Sequence, residues 1–324
     1  MKIRNRILSK LFPIFLSDCT NAEKPSFHYI KVFFFKVMKL ILFGLNKDPI
    51  IKIYCCQTWL NIPLSHALPI IKENFPNYDT ALPRFCNYLE QKLSSPISLI
   101  DVGANVGDTI NQVKNQSSLS GLCIEPSLQF YPLLLENTKN LSNVECMNSF
   151  VFDDNNTSLE ITEERGTGIS TISANAGLSV PSFTLDYILE SKFKNFKNSE
   201  ILKVDTDGWD LQVLEGAIKY IKVSKPFLFF EFSPYHYLNV GKRNSSSLLT
   251  LLKSIGYHVF LLYDGEGFLM GTFDLNKSIE AQVILKVLFD YGNKRTSFYC
   301  DILAAHKSKS ELLIDFYKKE VEQN

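Results

Sequence analysis

The chain of 324 residues has no surplus of either charge, with 34 Lys and Arg against 34 Asp and Glu. A sequence-independent grip on nucleic acid needs a clustered positive surface, so no nucleic-acid partner is expected. It also has no C-x-x-C. Its seven cysteines, at 19, 55, 56, 86, 123, 146 and 300, are odd in number and scattered. Neither a zinc site nor a disulfide framework is indicated, and the thiols read as reduced, in a cytoplasmic protein. Internal repeats and low-complexity segments are absent. So is a long unbroken apolar run: Lys31, Lys36 and Lys39 interrupt Phe27 to Leu45. Each lysine at a bilayer centre costs about 2.5–3.5 kcal/mol, which argues against a membrane-crossing helix. Lys10 and Pro13 break the apolar part of the first fifteen residues, and no small-residue cleavage site follows, so a signal peptide is not read either. What is present is globular: 45% hydrophobic residues, 21% charged and 25 Phe, enough for a thick core or an exposed apolar patch.

Residues 1–45 are basic and apolar, and two readings stand. One is a helix packed on the main domain. The other is an amphipathic helix lying on the cytoplasmic membrane face with its lysines near anionic headgroups, giving a membrane-associated protein. Between Pro49 and Leu93, a strand pair (Ile50 to Tyr54, Thr58 to Ile62) precedes helix punctuated by Pro63, Pro69, Pro76 and Pro83, ending in a helix over Asp79 to Leu93. Residues 1–93 are therefore taken as extension and cap, and residues 94–324 as the main domain.

From Pro96 onward short apolar runs alternate with helical patterns, the signature of a parallel sheet in an α/β fold. The strands are Ile97–Asp101, Gly121–Ile124, Val144–Met147, Ile201–Asp205, Phe227–Glu231 and Tyr257–Leu262, then a short one at Phe268–Phe273 and a final one at Tyr299–Ala305. Helices are expected from Gly107 to Gln116, after Pro126 with Ser127 as N-cap, and over Thr184–Phe193, Leu211–Ile221, Leu248–Ile255 and Ser278–Phe289. A surface helix, Lys309–Val321, closes the chain. Leu159–Thr162 reads as a hairpin strand, and Gly166–Ser173 as either a lid over a bound substrate or a merely solvated loop.

The stretch Leu99 to Thr109, LIDVGANVGDT, carries the chemistry. An apolar strand ends in Asp101, and Gly103 and Gly107 let the backbone approach a ligand at a helix N-terminus. The dinucleotide fingerprint G-x-G-x-x-G is not matched, because the middle glycine is missing. Asp101 would also repel a pyrophosphate. It suits a ligand carrying an ammonium group, such as the amino-acid moiety of S-adenosylmethionine, while Glu125 at the next strand end can take both ribose hydroxyls.

With these residues the chain resembles the FkbM-type methyltransferases, within the class I S-adenosylmethionine-dependent family. Pro63-Leu64-Ser65-His66, Leu99 to Thr109, Ile124-Glu125-Pro126, Thr184-Leu185-Asp186, and the block Leu202-Lys203-Val204-Asp205-Thr206-Asp207-Gly208 with Val213-Leu214-Glu215-Gly216-Ala217 carry the resemblance. Asp207 and Asp210 stand where the family usually has Glu. The resemblance implies a Rossmann-like fold, a seven-stranded mostly parallel sheet with its last strand antiparallel, plus a helical N-terminal extension. It implies methyl transfer to a hydroxyl of a glycan or other small molecule, as in surface polysaccharide assembly. For the S-adenosylmethionine site it implies Asp101, Gly103, Ala104, Asn105, Gly107 and Glu125, with Ser149 and Phe150 after the third strand. Asp205, Glu231 and His236 are the catalytic candidates; His66 can reach in from the cap. Asp205, Asp207 and Glu231 could hold a divalent cation, but their spacing does not demand it, and no metal is assigned. Two other readings are weighed: an NAD-dependent oxidoreductase, disfavoured by Asp101, and a non-catalytic binding protein on the same fold, disfavoured by intact Asp101, Glu125 and Asp205.

Overall fold

The computed structural model describes residues 48–155, 157–163, 170–172, 179–276 and 298–323, with a few positions between 283 and 294. Residues 1–45, most of the expected lid and most of the expected helix Ser278–Phe289 lie outside the described residues. Alternating apolar and polar residues around a two-residue loop make the first described segment a hairpin, β1 (Ile50–Cys55) antiparallel to β2 (Thr58–Pro63). Both loop residues, Cys56 and Gln57, take positive φ, which matches the loop to the twist of its strands. One face of the hairpin buries Ile51, Ile53, Leu60 and Ile62 against Val106, Phe130 and Leu133. Then come α1 (Leu68–Asn74), started by a proline, and α2 (Ala81–Leu93), whose Leu82, Phe85 and Leu89 face the core.

The main sheet begins with β3 (Ile97–Val102), α3 (Asp108–Gln116), β4 (Leu119–Ile124), α4 (Tyr131–Thr138) and β5 (Val144–Met147). A small side sheet follows, with β6 (Phe150–Val151), β7 (Thr157–Glu163), β8 (Ser170–Ile172) and β9 (Ser179–Phe183) in the order β6-β9-β7-β8. The chain returns through α5 (Leu185–Ser191), β10 (Ile201–Val204), α6 (Asp210–Gly216), α7 (Ile218–Ser224) and β11 (Phe227–Phe232). It ends with α8 (Pro234–Asn239), α9 (Ser245–Ser254), β12 (Tyr257–Asp264), β13 (Leu269–Asp274), β14 (Cys300–His306) and α10 (Ser310–Gln323).

The main sheet runs β13-β12-β14-β11-β10-β3-β4-β5. β3, β4, β5, β10 and β11 are parallel, and β14 runs antiparallel between β11 and β12. It is a mixed α/β fold of the Rossmann-like kind, with the expected antiparallel last strand. The strand count is corrected from seven to eight, because β13 pairs with β12 as an edge hairpin. Strand order reverses at β3 and β10, so a crevice opens beyond their carboxyl ends. One sheet face packs α5, α6, α7 and α9; the other packs α2, α3, α4 and α10.

Several local expectations change. The helix read over Leu211–Ile221 is broken at Ala217, and a Cβ on Gly216 would lie 1.9 Å from the Phe152 carbonyl oxygen. Ser127 caps a turn ahead of α4: its Oγ accepts from Gln129 N at 3.1 Å and Phe130 N at 3.0 Å. After β11 comes a short helix, α8, with Pro234 at its start. The closing helix is no mere surface helix, since Leu313 and Phe316 are buried beside Phe85 and Phe227. Among the described residues no helix is long and apolar enough to cross a membrane, and the six described cysteines are free thiols.

Candidate active site

The end of β3 must turn within a few residues into α3, and two glycines allow it. Gly103 and Gly107 both adopt φ +82°. A Cβ on Gly103 would lie 1.8 Å from the Asp205 carbonyl oxygen, so no side chain fits there. The turn is pinned on both sides. Gly103 N and Ala104 N donate to Ile124 O at 3.0 and 3.1 Å, and Asp205 N donates to Val102 O at 3.0 Å.

At the end of β4, Glu125 is 5% exposed and its carboxylate is clasped by main-chain donors. Oε2 accepts from Asn105 N at 2.7 Å and Oε1 from Ser127 N at 2.8 Å. Burial pushes this carboxyl up to about 7, against the pull of those two N–H groups. Asn148 Nδ2 ties the same segment down through Glu125 O at 2.8 Å and Pro126 O at 3.0 Å. The cap supplies His66. Its Nδ1 accepts from Leu68 N at 3.2 Å, which assigns the proton to Nε2, 3.1 Å from Asn105 Oδ1.

The other wall belongs to the ends of β10 and β11. Lys203 and Asp101 are register partners on adjacent parallel strands. Lys203 Nζ lies 3.2 Å from Asp101 Oδ1 and 3.2 Å from Asp205 Oδ2. Asp101 is wholly buried, so its cationic partner in the structure is the chain's own ammonium. Burial pulls the Lys203 ammonium down, but Asp101, Asp205, Asp79 and Asp108 together hold it well above its ordinary value. Burial raises Glu231 well above the usual carboxylate range, with Asp205 adding to it, and lifts Asp207 to about 7 in the same way. Asp207 takes φ +51°. It does not cap the next helix: Asp210 closes that turn, accepting from Gly208 N at 3.2 Å and Thr206 N at 3.4 Å.

Of the residues expected from the sequence, Gly103, Asn105, Glu125, Ser149, Asp205 and Glu231 line one cleft. Asp101, Ala104 and Gly107 stand behind its wall. Ser149 Oγ is engaged with Phe150 O at 2.8 Å and Pro181 O at 3.0 Å, so it joins the sheets, while Phe150 itself lines the cleft. His236 is not on the cleft wall. It sits on α8 with its backbone against Gly208, where an added Cβ would meet it at 2.8 Å. Tyr78 and Asp79 of the cap, and Trp209, also line the cleft and were not anticipated. Nor was the role of Lys203, although a lysine inside the buried strand Ile-Leu-Lys-Val is a signal that a partner carboxylate lies near. Among the described residues no three His, Cys, Asp or Glu side chains converge as a metal cage would require.

Residues 101–259 match the family model of the methyltransferase FkbM domain. The match covers just under half of the chain; it begins at Asp101 and takes in the glycine turn, Glu125 and the ends of β10 and β11. Solved structures similar to the chain include a methyltransferase FkbM from Methylobacillus flagellatus KT, at 18% identity over 51% of this chain and 40% of that one, TM-score 0.35. The match thus spans two fifths of that protein's length. A precorrin-6y C5,15-methyltransferase from Geobacter metallireducens GS-15 is 11% identical over 69% of this chain and 87% of its own, TM-score 0.35. The plantazolicin methyltransferase BamL, in complex with a triazolic desmethylPZN analogue and SAH, is 12% identical over 73% and 88%, TM-score 0.37. No curated protein matches the chain.

Proposed function

We propose that the protein is an S-adenosylmethionine-dependent methyltransferase that methylates a hydroxyl of a glycan or other small molecule. The observation that carries this is Glu125. Its carboxylate is fixed by two backbone N–H groups at the lip of a glycine turn and retains lone pairs for a ribose diol. The site also fits the charge of that donor, since a cleft walled by Asp79, Asp205, Asp207 and Glu231 with Lys203 as a counter-charge favours a cationic sulfonium.

When bound, S-adenosylmethionine supplies an electrophilic methyl group; positioning and proton handling fall to the protein. Gly103 and Asn105 shape the floor, Phe150 offers a ring, and Glu125 takes the ribose. The acceptor hydroxyl must lose its proton, and a carboxyl titrating near neutrality is matched to that task. Asp207, at about 7, is such a group. Asp205, fixed by Lys203 at 3.2 Å, orients the acceptor beside it. Holding the two reactants in line and dry supplies much of the remaining acceleration. A glycan acceptor would place the enzyme in polysaccharide assembly.

The test is calorimetric titration with S-adenosylmethionine and S-adenosylhomocysteine, followed by a methyl-transfer screen over glycans and small hydroxyl compounds. Glu125→Ala is expected to weaken binding by at least about tenfold, because two ribose hydroxyls lose a charged acceptor. Unchanged affinity in that variant would overturn the assignment.

A further inference from the structure

The outward face of the β1–β2 hairpin has no role in the cleft. Side chains alternate along the hairpin, and the face opposite the buried one presents Ile50, Lys52, Tyr54 and Trp59. Ile50, Tyr54 and Trp59 are 48%, 49% and 46% exposed. Tyr54 and Trp59 are directly opposed across the strands, their rings 5.5 Å apart at 64°, and the Lys52 ammonium lies 5.9 Å from the Trp59 ring centre. Two large amphipathic aromatics and a cation on one flat face are what the boundary between lipid headgroups and hydrocarbon accommodates.

The adjoining sequence says what covers this face. Residues 1–47, which lead directly into β1, hold nine Lys and Arg against two Asp and Glu, in a chain whose total charge is zero. The same segment carries Phe33, Phe34, Phe35, Ile41, Leu42 and Phe43 between its lysines. Basic charge interleaved with apolar residues fits an anionic bilayer, where headgroups take the lysines and the acyl boundary takes the phenylalanines. The hairpin is held firmly enough to share that surface. Asp48 accepts from Ser65 N at 2.9 Å and Ser65 Oγ at 2.6 Å across its base, and Asn61 N donates to Asn137 Oδ1 at 2.7 Å.

We infer that the outer face of the β1–β2 hairpin docks on an anionic lipid surface. Trp59 enters the headgroup region, and Lys52 pairs with lipid phosphate. The inference does not depend on the methyl-transfer reading, since it uses neither the cleft nor its residues.

The experiment uses the full chain with phosphatidylcholine vesicles, with and without phosphatidylglycerol, and with brominated acyl chains as quencher. The chain has two tryptophans, and Trp209 lines the cleft, so quenching assigned by a Trp59→Phe variant reports the hairpin alone. Expected are co-sedimentation with the anionic vesicles only, weakening with added salt, and quenching that disappears in Trp59→Phe. The paired change Tyr54→Ser with Trp59→Ser should lower vesicle binding by about tenfold with an unchanged melting profile. Quenching in the unaltered chain keeps the test valid if that double variant misfolds. Vesicle binding without Trp59 quenching would mean that residues 1–47 alone hold the membrane, and would overturn the hairpin's part. No vesicle binding, or self-association blocked by the double change, would overturn it as well.

Discussion

The two walls of the cleft are built on opposite principles. On the β3–β4 side the carboxylate of Glu125 is held by main-chain donors, the N–H groups of Asn105 and Ser127. On the β10–β11 side, carboxylates from distant strands crowd around one ammonium, that of Lys203. The first wall is pre-shaped by a local turn whose backbone donors hold Glu125 in place. The second is a balance of charges, and it responds to pH and to the loss of any one partner. A fixed wall suits recognition of an invariant donor, and a titratable wall suits handling of an acceptor's proton.

The sharpest way to break this contrast is to remove the ammonium. Lys203→Met leaves Asp101 buried without a counter-charge, and truncating one partner of a buried pair costs about 3–5 kcal/mol. Urea unfolding at pH 8 should show a loss of that size, shrinking at lower pH as Asp101 takes up a proton. The double change Asp101→Asn with Lys203→Met should recover most of it. If Lys203→Met proved as stable as the parent at pH 8, the second wall would not be the charge balance described.

Next in size is pH itself. Asp79, Asp207 and Glu125 titrate at about 7 in the folded protein, raised above all by burial, against ordinary values of 3.8 to 4.5. Between those values the folded chain binds more protons than the unfolded one. Stability is therefore greatest at the acid end of that window and falls as pH rises through 7. Glu231 and Asp301, also raised well above the usual carboxylate range by burial, act in the same direction. Thermal melts of the unliganded protein should give a higher midpoint at pH 6 than at pH 8. A midpoint that climbs with pH would contradict the burial of these carboxyls around the cleft.

The smallest effect is expected at His236. Its ring is off the cleft wall, so His236→Ala should change the methyl-transfer rate by less than about threefold. A collapse of turnover with intact folding would place the histidine in the chemistry after all.

The same contrast explains what was legible in the sequence. The turn formed by the strand end, the paired glycines and the next strand's acid was legible because all lie within 27 residues of one another and obey local turn chemistry. Alternation gave the strands from Ile97 onward for the same reason. What could not be read required knowing which strands are neighbours. Asp101 and Lys203 meet only because β10 pairs with β3 in one register, so the acid that pointed to a cationic ligand turned out to be matched within the chain. Tyr78 and Asp79 arrive from the cap and Trp209 from a turn, none with a pattern of its own. The break between α6 and α7 was hidden because a glycine in a helical run shows its purpose only when Phe152 is seen against it.

The contact at Gly103 has a consequence for anyone who builds with this scaffold. With the Asp205 carbonyl 1.8 Å from where a side chain would begin, the turn after β3 and the turn after β10 are a single moulded part. A chimera that imports a new acceptor loop after β10 must bring the matching β3 turn with it, or keep the Val102–Asp205 backbone seam untouched and graft only beyond it.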